Sequence, residues 1–213
     1  MKILITLPFF FLLNTNNCIS QSITIDENSF GFIVLDDTMY NGTGFVLSSP
    51  TTVITCAHVI DSTKKISFVP YKTGTPFVLK LIWYDINNDI AVLQSQKNIC
   101  RKPLLPDTAF LIQTRQHLFY IGYDVSKSKP NEKAFQVNNA VVSAFGKAQS
   151  GNTVVNFLEF NGVGIPGYSG GPVFNDEGKV VALMREAWFK QGIKGGQVQL
   201  INRAFSLKAL FER

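Results

Sequence analysis

The feature that most constrains this chain is its punctuation: twelve short apolar runs, each too short to make a stable helix, divided by turn residues. Runs of three to eight residues rich in Val, Ile, Leu and Phe, bounded by Gly, Pro, Asn, Asp and Ser, read as strands. Six fall at 31–35, 43–47, 52–55, 66–69, 77–84 and 90–93. A polar, proline-bearing connector at 100–106 interrupts the series. Six more follow at 117–121, 140–144, 154–160, 172–174, 179–183 and 197–201. Asp176-Glu177-Gly178 sits between two of these runs as a hairpin turn should. Two sets of six strands without intervening helices predict an all-β fold of two six-stranded antiparallel Greek-key barrels, 21–105 and 106–201. The spacing of Ala204, Phe205, Leu207, Leu210 and Phe211 behind Asn202 predicts a short C-terminal amphipathic helix over 202–213.

The first twenty residues follow another logic. Lys2 precedes an almost unbroken apolar run at 3–13, a polar stretch, and small residues near Ser20. That layout predicts a secretory signal peptide, 1–20, and a mature chain from Gln21 that is secreted or periplasmic. The run is shorter than the ~18 residues a membrane span needs, so no stable membrane insertion is expected. Removing this segment takes one Lys and no acid, so the formal charge of +5 becomes +4. No basic run carries interleaved aromatics, so nucleic acid is not an expected partner. Cys18 leaves with the signal, and Cys56 and Cys100 remain in a compartment that permits either a disulfide or two separate thiols. Their spacing suits no metal site, and no cofactor is expected.

Three segments carry residues able to do chemistry. Thr55-Cys56-Ala57-His58-Val59 stands where an apolar run ends, and Asp89 opens the run at 90–93. Gly167-Tyr168-Ser169-Gly170-Gly171-Pro172 surrounds a serine with glycines between two strand-like runs. A serine hydroxyl is a weak nucleophile and needs a base beside it and donors for the oxyanion its attack creates. Glycines let the backbone turn sharply and aim the N–H groups of Gly167 and Ser169 at a carbonyl oxygen. Gly167, Ser169 and Gly171 also satisfy the Gly-x-Ser-x-Gly pattern of α/β-hydrolases, whose triads run serine, acid, histidine. Both histidines, His58 and His117, precede Ser169 and exclude that order. The subtilisin order would need a carboxylate such as Asp36 or Asp37 and alternating helices that the pattern lacks. Histidine, acid, serine remains.

In that order the three segments resemble the catalytic segments of trypsin-like serine peptidases, above all the bacterial high-temperature-requirement (Deg) branch. Thr43-Gly44-Phe45-Val46-Leu47 also resembles that branch, so the likeness runs from about 31 to 201. The resemblance implies a serine endopeptidase acting on protein or peptide substrates in a cleft between the barrels. It implies His58 as general base, Asp89 as the acid that orients it, Ser169 as nucleophile, and Gly167 and Ser169 as oxyanion donors. Asp85 is the rival acid; Asp89 is preferred because the apolar run beginning beside it would hold a part-buried carboxylate rigidly. By analogy the stretches 163–166, 184–187 and 195–199 line the specificity pocket, through Val163, Met184, Glu186 and Gln199 and their neighbours Gly164, Ile165 and Ala187. No acid lies near Val163, so a Lys or Arg preference is not implied; Glu186 could favour a basic group and Arg185 an acidic one.

The departures from the family pattern matter as much. Tyr168 stands where zymogen-activated relatives carry an Asp, and no Ile-Val-Gly-Gly-like N-terminus is visible. The site is therefore expected to form on folding or by another route. Val59 replaces the usual Cys after the histidine, so the digestive relatives' disulfide is missing, and no PDZ domain is expected after the protease. Two other readings stay open: a binding module that has lost catalysis, and a site that orders only with a partner or substrate.

Overall fold

The computed structural model describes residues 24–124, 135–150, 152–190 and 199–211, so the expected signal peptide lies outside the described residues. Six strands form the first unit: β1 (Phe30–Leu35), β2 (Met39–Val46), β3 (Thr52–Thr55), β4 (Ile66–Pro70), β5 (Phe77–Asp85) and β6 (Ile90–Ser95). The second unit holds β7 (His117–Tyr123), β8 (Phe135–Ser150), β9 (Thr153–Asn161), β10 (Pro172–Phe174), β11 (Val180–Lys190) and β12 (Gln199–Ser206). Each closes into an antiparallel barrel, in the orders β1-β2-β3-β6-β5-β4 and β7-β8-β9-β12-β11-β10. The wiring is the same twice, and closure removes the unpaired edges on which open sheets aggregate.

Burial explains why the runs read as they do. All six residues of β1 are buried, because its two faces have different partners. Ile33 and Leu35 enter the first barrel's core, whereas Phe32 and Val34 pack outward against Tyr123 of the second barrel. The Phe32 and Tyr123 rings meet edge to face at 4.3 Å. The larger core also crosses between units, taking in Ile121, Phe174, Val180 and Leu183 from the second. The connector is tied to both barrels: Leu104 N–H donates to the Val46 carbonyl at 2.9 Å, and Val180 N–H to that of Leu105 at 2.8 Å.

The C-terminal helix is not formed. Residues 202–206 complete β12, and only a 3-10 turn at Leu207–Leu210 follows. Ala204 pairs with Met184 of β11 on one side and Leu158 of β9 on the other, so its backbone groups meet a ladder on both flanks. A short isolated helix would forfeit those bonds and is marginal in water. Cys56 and Cys100 are both buried and free, so the fold uses no bridge between them. Among the described residues no helix is long and apolar enough to cross a membrane.

Candidate active site

A cleft of about 1100 Å³ runs between the barrels and brings His58, Asp89, Ser169 and Arg185 to one surface. His58 follows β3 on a 3-10 turn, Ala57–Val59, which lifts its side chain out until it is 50% exposed. The turn is anchored from below: the Thr55 hydroxyl donates to the Thr43 carbonyl at 2.7 Å, and Ala57 N–H to that of Asp89 at 3.2 Å.

Asp89 ends the β5–β6 turn in the left-handed region, at φ 52°. Asp85 builds that turn, its carboxylate accepting the N–H groups of Asn87 at 2.8 Å and Asn88 at 3.0 Å. This occupies Asp85 locally and leaves Asp89 facing His58. Oδ2 of Asp89 lies 2.8 Å from His58 Nδ1, and Oδ1 accepts the His58 backbone N–H at 3.0 Å. Burial alone would raise the Asp89 carboxyl. The bonds from the His58 ring and backbone, with the Arg185 guanidinium, overcome this and hold it below the usual carboxylate range. An ionised carboxylate only accepts, so the proton between them sits on Nδ1 and leaves Nε2 free to take another.

Ser169 stands on a loop that the first barrel grips. Thr43 N–H donates to the Ser169 carbonyl at 2.8 Å, and the Thr43 hydroxyl to that of Gly167 at 2.6 Å. Gly170 adopts φ 86°, and a Cβ there would meet the Thr43 carbonyl and the Thr55 hydroxyl. Tyr168 is buried against Gly122 of β7; its hydroxyl donates to Gln136 at 3.1 Å and accepts from Asn138 at 3.2 Å. Among the described residues no backbone carbonyl takes the N–H of Gly167 or Ser169. The Ser169 hydroxyl donates to the Arg185 carbonyl at 3.0 Å, and no bond joins it to His58.

The expected pocket residues separate. Glu186 reaches the cleft but pairs with Arg203 Nη1 at 3.2 Å. Met184 does not line it: the alternation of β11 turns its side chain into the second barrel's core. Val163 is 46% exposed and lies outside the cleft wall, its carbonyl taking the Tyr120 hydroxyl at 2.8 Å. Gln199 opens β12 opposite Lys190. Their expected neighbours Gly164, Ile165 and Ala187 do line the cleft, and the first barrel adds Ile60, Leu81, Tyr84 and Ile86. These last four stand out in sequence only as apolar residues near the histidine or the acid, a signal shared with ordinary strands. The other histidine, His117, is exposed at the start of β7 and does not line the cleft.

Ligand atoms of Cys56, His58 and Asp89 lie within 4.8 Å of one another. Burial and then the Asp89 charge push the Cys56 thiol well above its usual range, and it donates to the Met184 carbonyl at 3.1 Å. The thiol is thus bonded to a protein carbonyl, while His58 and Asp89 are bonded to each other.

The chain is similar to known proteins in sequence and in fold. A family described as "Trypsin-like peptidase domain" matches residues 42–183, a stretch that holds His58, Asp89 and Ser169. A "probable periplasmic serine endoprotease DegP-like" of Marinomonas sp. is 29% identical over 151 residues, covering 71% of this chain and 30% of the relative. One of the same name from Chlamydia muridarum is 31% identical, covering 67% of this chain and 27% of the relative. The chain thus spans less than a third of the length of these relatives. Among solved structures, Rv3671c of M. tuberculosis in an inactive form matches with a TM-score of 0.68 at 20% identity, covering 92% of this chain and 88% of that one. A serine endoprotease of Yersinia pestis matches at 0.66 and 18%, covering 88% of this chain and 61% of that one.

Proposed function

This chain belongs to the trypsin-like peptidase domain family, and from that premise we propose that it is a serine endopeptidase working through His58, Asp89 and Ser169. The observation that carries the proposal is the 2.8 Å approach of His58 Nδ1 to a buried, ionised Asp89, in the cleft that also holds Ser169.

Ser169 Oγ attacks the scissile carbonyl carbon while its proton passes to His58 Nε2. Asp89 steadies the imidazolium so formed. The carbonyl oxygen gains the negative charge, and the N–H groups of Gly167 and Ser169 receive it. Collapse of the intermediate breaks the C–N bond, and His58 gives its proton to the leaving amine. Water then attacks the acyl-enzyme by the same route. The hydroxyl must first turn about χ1 from the Arg185 carbonyl towards His58, a movement of one side chain; catalytic bonds commonly tighten only when substrate binds.

The substrate is an extended protein or peptide segment. Tyr84 and Ile86 are 53% and 72% exposed on one cleft wall, and no acid faces the groove without a partner among the described residues, which supports apolar side chains over basic ones. A signal peptide over 1–20 and the periplasmic naming of the relatives support a secreted or periplasmic location. The proposal is tested with unfolded casein and the mature chain. Native protein is expected to generate peptides; Ser169→Ala is expected to lose about 10⁶-fold in kcat. Equal cleavage by both would place the activity elsewhere.

A further inference from the structure

The carboxylate of Asp89 has a neighbour that the mechanism above does not use. Arg185 donates its Nε–H to Asp89 Oδ2 at 3.2 Å, the same oxygen that faces His58. Its guanidinium lies 4.5 Å from the centre of the Phe205 ring, and its side chain is only 29% exposed. A long cationic side chain on an open rim samples many rotamers; here Asp89 fixes one edge of the guanidinium plane and Phe205 supports its face. The carbonyl of the same residue accepts the Ser169 hydroxyl. Arg185 therefore touches the triad twice, once at the acid and once at the nucleophile.

We propose that Arg185 is a positioning residue of this site, holding Asp89 from the second barrel so that the seating of β11 sets the orientation of His58. The inference rests on the peptidase reading. Oδ1 of Asp89 is held by the His58 backbone and Oδ2 by the His58 ring and Arg185, so each barrel supplies a donor to the carboxylate. Asp89 and His58 belong to the first barrel and Arg185 to the second, so this bond also ties the two halves together at the point of chemistry. A role in binding acidic substrate side chains fits less well, because Nε is already committed and the charge is offset by Asp89.

The test uses Arg185→Ala, Arg185→Gln and Arg185→Lys in the mature chain. Steady-state kinetics are measured on two peptides, one neutral and one acidic before the scissile bond. Proton NMR follows the downfield resonance of the His58 Nδ1–H. The Ala variant is expected to lose about 10- to 100-fold in kcat on both peptides with KM unchanged, as misplaced catalytic groups do. Gln, whose Nε2 stands as many bonds from the backbone as the Arg185 Nε, is expected to recover more of that loss than Lys, whose ammonium lies one atom further out. The resonance should shift or broaden in Ala and return in Gln. A rise in KM confined to the acidic peptide would make Arg185 a substrate contact and overturn the proposal. So would unchanged kcat and resonance with only a lower Tm, which would make it merely structural. A native protein that shows the resonance but cleaves neither peptide would sink the peptidase reading, and the resonance in the variants would still decide for or against Arg185.

Discussion

Asp89 is the residue on which the account turns, because a buried carboxylate is tolerated only with partners that offset its lost hydration. Its partners are His58 and Arg185, and their bonds lower its pKa against the pull of burial. A carboxyl lowered on folding stabilises the native state above its unfolded value, about 3.9. That contribution is lost as pH falls through the lower folded value. Asp89→Asn is expected to lower kcat by about 10⁴-fold, since an amide no longer enforces the tautomer. Its acid unfolding, followed by circular dichroism, should lack the part of the pH dependence below about 4 that Asp89 supplies. A variant within tenfold of native kcat would assign the acid's role to another group. His58, Asp89 and Ser169, which share one cleft, stood out in the sequence because each departs from the apolar runs around it. Arg185 was legible only as a charge near a wall: its bond to Asp89 spans 96 positions, and no local pattern records it.

At the scale of elements, the nucleophile loop depends on a strand that makes room for it. Tyr168 lies against Gly122 of β7, and any Cβ at that position would enter its ring. Where zymogens use an ion pair to set this loop, the chain uses a buried aromatic ring bonded to Gln136 and Asn138 of β8. Gly122→Ala is expected to cost about 1–3 kcal/mol through overpacking. At this size the Tm should fall by about 3 °C per kcal/mol. Activity should fall further than stability, because the displaced loop carries Ser169; scanning calorimetry beside a peptide assay checks both. An unchanged Tm would mean that the loop yields freely. The run at 117–121 announced β7, but nothing local announced Gly122 as a socket for Tyr168. The tail shows the opposite limit: the spacing behind Asn202 fits a helix, yet β9 and β11 flank it and their ladders draw it into a strand.

For the molecule as a whole, the barrels are joined through a shared apolar core. Residues of both units contribute to the larger core, β1 presents a face to each side, and Thr43 bonds across to the nucleophile loop. Guanidinium unfolding is therefore expected to be a single transition, with tryptophan fluorescence (Trp83 in the first unit, Trp188 in the second) and circular dichroism coinciding. Two separated transitions would show barrels that are stable apart. Two sets of strands were legible in the spacing of apolar runs, whereas barrel closure and the shared core depend on contacts between distant segments. All of this architecture serves the claim that Ser169 is an activated nucleophile. The most direct measurement is fluorophosphonate labelling of residues 21–213 beside Ser169→Ala, read by intact mass. One adduct on the native protein and none on the variant is the result expected. A folded native protein that takes no label, or a variant that labels equally, would contradict it.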